Sequence, residues 1–309
     1  MKEAVNDDRE FLTFVTHGLV ILSTMKVLGI KKLDDFPAGI PSQRHSLEVR
    51  QRYLDSVASA VVDTFVFPHG VLPPDKPQQG QQGQPGQPGQ PGQPEDYKHN
   101  YICALLREGL LDMARMDAVK QGDGDRIIRH WRYDFVHFHV FKHPNYRLLS
   151  FRMIAQIYAL LTPRMAARVI HNRTVNAHGG IGCNISLDLF LEFLNKSVKE
   201  DLKRSGSALT DKVLQRVGQS KQVMDEFLHN FDREMELFTS IGRHKKQDWS
   251  GEVAQMVGDL MGENLFENQA GREFPSFPNF PMNRLHSVDR EGLEGWVSTQ
   301  LTCLHYQNL

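Results

Sequence analysis

The stretch that decides the fold reads NRTVNAHGGIGCNISLDLFLEFLN over residues 172–195. Its first half contains four turn-forming residues, Asn176, Gly179, Gly180 and Gly182, which predict a loop. Beyond the loop, apolar residues recur at helical spacing and predict a helix over 187–202. The inward stripe predicted for that helix consists of Leu187, Phe190, Leu191, Leu194, Val198 and Leu202. The stretch is therefore expected to be a glycine loop that leads into an amphipathic helix.

Helical periodicity also dominates the rest of the chain, and little period-two alternation is found. Asp125 is predicted to cap the helix that carries Trp131, and Thr162 to cap a helix that begins at Pro163. The other predicted helices span residues 11–27, 47–66, 101–120, 146–161, 208–217, 221–237, 251–260 and 289–305. The predicted fold class is therefore mainly α, a multi-helix globular domain.

Three segments follow from the composition along the chain. Residues 1–72 are expected to form an N-terminal helical segment that packs on the main domain. Residues 73–95 are a Gly/Gln/Pro low-complexity tract with repeated Gln-Pro-Gly, which predicts a disordered linker. Residues 96–309 are expected to form the main helical domain.

Charge and cysteine content restrict the class of protein. The formal net charge of −1 gives no global preference for nucleic acid or an anionic membrane. Three widely separated cysteines argue against disulfides and indicate a reducing compartment, so the protein is expected in the nucleus or cytoplasm. Residues 11–30 are apolar and nearly long enough to span a bilayer, but polar residues interrupt them and acids outnumber bases before them. We therefore expect a buried helix and no membrane partner.

Two carboxylates on the predicted 187–202 helix are candidate metal ligands. Asp188 and Glu192 lie one helical turn apart, directly after the glycine loop, where they could hold a divalent cation. The same spacing has a purely structural interpretation. Asp188 favours the positive end of the helix, and Glu192 can pair with Lys196. The spacing alone leaves both interpretations open.

The motif resembles a known family. Its fixed residues are Asn172, Arg173, Asn176, His178, Gly179, Asn184, Asp188, Glu192 and Asn195, and they resemble the core motif of domain of unknown function 6589. Residues 28–35 and 122–126, Gly271-Arg272 and residues 275–278 resemble that family as well. The likeness covers most of the chain apart from the Gly/Gln/Pro tract.

The resemblance implies a transposase-like, mobile-element-associated ancestry, and a fold that is the helical C-terminal remainder of a ribonuclease-H-like enzyme. Such enzymes use two aspartates and a late helical glutamate to bind two metal ions. Glu192 would be that late acid, with Asp188 beside it. Two departures argue against activity. Phe190 and Phe193 stand where the family usually has polar or basic residues, and no match to the family's earlier acidic motif is found.

The sequence therefore favours a catalytically inert fragment or domesticated descendant of a transposase-like protein. It would not be an enzyme, would need no cofactor, and would bind nucleic acid or protein. The first alternative is a nuclease or transposase that acts on DNA with Mg²⁺ or Mn²⁺ held by Glu192 and Asp188. The second is a helical protein-interaction module, which predicts a large exposed apolar patch.

Overall fold

The computed structural model describes residues 2–37, 39–68, 95–176, 179–204, 210, 212 and 250–307. These residues form nine α-helices and two strands of two residues each, so the prediction of a mainly α fold is confirmed. The α-helices are α1 Lys2–Leu28, α2 Leu47–Val61, α3 Tyr97–Gln121, α4 Gly124–Val140, α5 Pro144–Ala155, α6 Pro163–His171, α7 Leu187–Arg204, α8 Ser250–Met261 and α9 Arg290–Gln307. The strands are β1 Thr174–Val175 and β2 Ile185–Ser186. Shorter helical turns are two π-helical segments, Val62–Val66 and Gln156–Leu160, and a 3-10 turn at Arg284–Ser287.

The predicted helix caps have different outcomes. Thr162 caps α6 as expected, since its hydroxyl accepts from the Met165 N–H at 3.4 Å. The prediction for α4 is wrong, because Asp123 rather than Asp125 accepts from a free N–H of the first turn, that of Arg126, at 2.9 Å. The helices predicted at 208–217 and 221–237 lie outside the described residues except for isolated positions, and so does the predicted linker apart from Glu95.

The chain divides into two compact units. Unit 1 comprises Met1–Met113, Val136–Pro144 and Asp248–Leu309, and unit 2 comprises Ala114–Phe135 and Asn145–Gln247. The sequence pattern does not predict this division, because the expected main domain, 96–309, contributes residues to both units.

The core of unit 1 is made by α1, the end of α2 with its π-helical turn, α3 and α8. Leu19, Leu106 and Val257 are almost completely buried there, and Phe65 contacts Phe266 with ring centroids 4.7 Å apart. Helices α1 and α3 approach closely where Gly109 faces Thr16. Burial of the apolar face of α1 therefore supplies much of the stability of this unit.

Helix α1 also meets the length and composition of a membrane span. Asp8–Leu28 has a mean hydropathy of 1.6, and a third of the window is buried. The buried side of the segment includes Leu22 and Met25, which belong to the core of unit 1, and Thr16 and Ser23 are buried with them. These contacts fit the expected core helix of a folded unit.

A buried ion pair fixes the start of α3 in unit 1. The carboxylate of Asp96 accepts from Arg272 Nε at 2.9 Å and Nη2 at 2.8 Å, and from the backbone N–H groups of His99 and Gln269. Burial alone would raise the pKa of Asp96, but these hydrogen bonds and the charge of Arg272 hold it below its usual value. Asp96 is therefore both the cap of α3 and the anchor of the segment that follows α8.

Buried His99 and Cys103 extend this network. His99 Nδ1 lies 3.1 Å from the carbonyl oxygen of Leu265, and its Nε2 lies 3.5 Å from Cys103 Sγ. Burial lowers the pKa of His99 and raises the pKa of the Cys103 thiol to about 12. Because the thiolate is the nucleophilic form, Cys103 is an unreactive core residue.

Unit 2 has two smaller apolar clusters. Ile128 of α4, Ile157 of the π-helical turn and Ala166 of α6 are buried together. Gly124 allows α4 to lie against α6, since a Cβ there would be 2.2 Å from the Ile170 carbonyl oxygen. The second cluster, around Ile185, carries the family motif.

Candidate functional site

The motif 172–195 folds into a small hairpin between α6 and α7. Strands β1 and β2 pair antiparallel, with Thr174 opposite Ser186 and Val175 opposite Ile185. Asn172 follows α6 as its C-cap, and its N–H donates to the Arg168 carbonyl at 3.0 Å. The N–H of Leu187 donates to the carbonyl of Arg173 at 2.8 Å, which ties the start of α7 to the end of α6. The predicted loop thus closes on a two-residue ladder too short to give a period-two signal.

Arg173 is a structural residue at the base of the hairpin. Its Nε donates to the Val169 carbonyl at 3.1 Å, its Nη2 contacts Met153 Sδ, and its guanidinium carbon lies 5.7 Å from the centre of the Trp131 ring. Burial lowers the pKa of Arg173 below its usual value. These contacts join α4, α5 and α6, so Arg173 stabilises the packing of three helices of unit 2.

The glycine loop is braced by side chains of the same motif. Asn176 Nδ2 donates to the Gly180 carbonyl at 2.8 Å, across the width of the loop. Gly179, Gly180 and Gly182 have φ values of +77°, +93° and +75°, which favour glycine over any residue with a Cβ. The motif histidine, His178, lies outside the described residues.

Asn184 connects the hairpin to the end of α3. Its backbone N–H and its side-chain Nδ2 both donate to the Lys120 carbonyl, at 3.2 and 3.0 Å. Gly122, at φ +68°, leaves room for this side chain, since a Cβ there would lie 3.1 Å from it. Two parts of the sequence that resemble the family, 122–126 and 172–195, therefore meet in one structural contact.

The candidate metal ligands lie on the outside of α7. Asp188, in the first turn of α7, and Glu192 are exposed, as is Asn195. Within the described part of the chain, no group of three or more His, Cys, Asp or Glu side chains is placed to hold a metal ion. The carboxylates share a face as their spacing predicts, but no described third ligand joins them.

The inward stripe predicted for α7 is wrong in part. Phe193 is the buried residue and contacts the cluster of Ile185, with Leu189, Phe190 and Leu194 packed around it. Leu187 and Leu191, predicted to face inward, are exposed, and the side chains of Val198 and Leu202 lie outside the described residues. Rotation of the helix buries the larger aromatic ring in place of Leu191. Phe190 and Phe193 are therefore packing residues beside Glu192.

A basic surface in unit 2 is a feature that motif analysis missed. The sequence contains no aspartate or glutamate between Asp134 and Asp188, and residues 145–187 contain five arginines. Three of them, Arg152, Arg164 and Arg168, are exposed, and no described side chain forms an ion pair with them. Arg115 and Arg126 differ from these three, because they form ion pairs with Asp134 at 2.7 Å and with Asp117 at 2.6 Å. A local charge count would have revealed this surface where the net charge of −1 conceals it.

Helix α6 shows the contrast between its two faces most clearly. Ala166 is buried, and Val169 and Ile170 pack against the cluster around Ile128. Arg164, Arg168 and His171 lie at steps of four and three on the opposite, exposed face. This helix therefore presents two arginines and a histidine, and no acid, to the solvent.

Fold and site together define a mainly helical protein that is built from two units and carries a braced glycine hairpin beside a basic helix. The chain matches the family of unknown function DUF6589 over residues 6–244 and belongs to that family. The match includes the whole hairpin motif but ends before Gly271-Arg272 and residues 275–278, whose resemblance stays a prediction. No curated protein and no solved structure matches the chain.

Proposed function

We propose that this protein binds duplex DNA through unit 2 and does not cleave it, as a catalytically inert descendant of a transposase-like protein. The observation that carries the proposal is the acid-free stretch 145–187 with its exposed Arg152, Arg164 and Arg168. Exposed arginines that form no ion pair with a described side chain can attract a polyanion, because no carboxylate neutralises them. The transposase-like ancestry rests on the family resemblance, which favours DNA as the polyanion.

The arrangement of α7 supports binding without cleavage. Two-metal cleavage of a phosphodiester needs carboxylates that converge on the ions. Asp188 and Glu192 are exposed on one helix, and the described residues contain no third ligand near them. Phe190 and Phe193 pack into the cluster beside Ile185 where the resemblance implies polar or basic residues. The proposed protein therefore works without a metal cofactor.

The binding proposal is tested by charge reversal. The variant Arg152→Glu/Arg164→Glu/Arg168→Glu should bind a fluorescent 25-base-pair duplex at least tenfold more weakly than the native protein, measured by anisotropy at moderate salt. The matched control is Lys32→Glu/Arg44→Glu/Arg50→Glu, three exposed cations of unit 1. This control changes the net charge equally and should leave the affinity nearly unchanged. Equal losses in both variants, or tighter binding to duplex RNA than to DNA, would contradict the proposal.

A cleavage assay distinguishes this proposal from the nuclease alternative. Supercoiled plasmid incubated with the protein and increasing Mg²⁺ or Mn²⁺ should remain uncut, and Glu192→Ala should behave identically. Metal-dependent nicking that disappears in Glu192→Ala would overturn the proposal in favour of a nuclease. DNA binding that is retained in Glu192→Ala would show that the carboxylate is not needed for the interaction.

A further inference from the structure

The tip of the hairpin exposes an apolar side chain that no core residue covers. Ile181 is 95% exposed, the highest value among the large hydrophobic side chains of the described residues. It is flanked by Gly180 and Gly182, so the isoleucine projects from backbone that carries no neighbouring side chain. The nearby Gly179 is also open, since a Cβ there would meet nothing within 4 Å. Ile181 and its two flanking glycines therefore form an exposed apolar finger.

The finger is held in place by the motif. Asn176 Nδ2 bonds the carbonyl of Gly180, the residue directly before Ile181, and Cys183 Sγ lies 3.7 Å from the carbonyl of Ile181 itself. Asn184 anchors the far side of the loop to α3 through the Lys120 carbonyl. A tip fixed in this way loses little conformational freedom on binding, so an inserted side chain retains more of its burial energy.

The charged residues near the finger indicate which class of partner it binds. Helix α6, with exposed Arg164 and Arg168, leads directly into β1, and the stretch 145–187 that contains the hairpin has no acid. The exposed acids Asp188 and Glu192 follow on α7, after β2. An apolar pocket on a protein would not require the charge of these arginines, whereas a DNA backbone would. Proteins that bind the minor groove frequently combine basic contacts with apolar side chains inserted between base steps. Bare glycine on both sides of the isoleucine suits a groove only about 6 Å wide.

We infer that Ile181 is a wedge that enters the minor groove of duplex DNA and partly unstacks one base step, an inference that rests on the proposed function. The arginines of unit 2 hold the phosphates, and the hairpin directs the side chain at the stacked bases. The family motif is then a scaffold for the wedge: Asn176 and Asn184 are positioning residues, and the glycines give the finger its width.

The test measures DNA unwinding, which does not depend on where the protein binds. Relaxed plasmid is incubated with the full-length protein and a topoisomerase, and the linking number is read after removal of protein. The native protein should lower the mean linking number in proportion to the amount bound. Ile181→Ser should bind about tenfold more weakly and abolish the shift when compared at equal occupancy. Ile181→Met should restore it.

Two controls separate the outcomes. Leu54→Ser removes an apolar side chain that is 60% exposed in unit 1, and it should leave binding and linking number unchanged. Asn176→Ala should weaken the shift without removing Ile181. If Ile181→Ser unwinds DNA as the native protein does, or the native protein binds without unwinding, the wedge is overturned while the proposed function stands. If the native protein does not bind duplex DNA, both fail.

Discussion

Asp96 stabilises unit 1 through a buried ion pair that no sequence motif predicts. Its carboxylate, with no exposed surface, accepts four hydrogen bonds, two of them from Arg272. Arg272 in turn donates to the carbonyls of Glu263, Asn264 and Glu267, in the segment that follows α8. A buried charge is tolerated only where its partner and the remaining lone pairs are satisfied, and every oxygen of Asp96 meets that condition.

The substitution Asp96→Ala should therefore be strongly destabilising. It leaves the guanidinium of Arg272 without its carboxylate and removes the cap of α3, with an expected cost of about 3–5 kcal/mol in the free energy of unfolding. Urea denaturation followed by circular dichroism measures the loss. The control is Glu48→Ala, which breaks the exposed i,i+4 pair with Arg52 and should cost less than about 0.5 kcal/mol. Similar effects for the two variants would refute the assigned role of Asp96.

At the scale of elements, the close crossing of α1 and α3 depends on a glycine at the contact. A Cβ added at Gly109 would lie 2.0 Å from Thr16 Oγ1 and 2.9 Å from its Cγ2. Thr16 is completely buried, and its hydroxyl donates to the Leu12 carbonyl at 2.6 Å, so it cannot easily rotate away. The two helices can approach this closely only because one of them has no side chain at the contact.

Gly109→Ala should consequently destabilise the protein, although alanine favours helix formation. Overpacking at the contact is expected to cost about 1–3 kcal/mol, more than the roughly 0.5–1 kcal/mol gained from propensity. Gly258→Ala is the matched control, because α8 leaves open space at that exposed position, and it should be neutral or stabilising. In the Thr16→Ala background the cost of Gly109→Ala should largely disappear, as a double-mutant cycle of melting curves would show. Additive losses would exclude the proposed contact.

The elements also show where prediction from sequence succeeds. The predicted bounds of α7 and α8 agree with the structure to within two residues at each end, and α6 begins at Pro163 as predicted, because periodicity and the Thr162 cap are local signals. The two-residue strands are too short to give a period-two signal, and the hairpin contact of Asn184 with Lys120 spans 64 positions of the sequence. The predicted inward stripe of α7 is wrong in part because the buried face of a helix is also not a local property. Which face a helix buries is decided by its neighbour, here Ile185, and not by its own period.

At the scale of the whole molecule, charge is distributed unevenly along a nearly neutral chain. The candidate carboxylates were found from spacing, yet the basic surface of unit 2 was overlooked because acids elsewhere cancel it in the net charge of −1. Arg152, Arg164 and Arg168 are separated in sequence, and the structure shows that all three are exposed, on α5 and α6. The residues of the family motif can be identified from the sequence. The hydrogen bonds by which they brace the hairpin are seen only in the structure.

This distribution predicts how DNA binding responds to salt. Each phosphate neutralised by a cation contributes about −0.9 to the slope of log K against log salt concentration. Reversing Arg152, Arg164 and Arg168 should reduce the magnitude of that slope by about 2.7 if each contacts one phosphate. The slope is measured by anisotropy between about 50 and 200 mM NaCl. The unit 1 control, with the same change in net charge, should keep the native slope, because only contacts release counterions. Parallel slopes for all three proteins would mean that total charge, and not the surface of unit 2, governs the interaction.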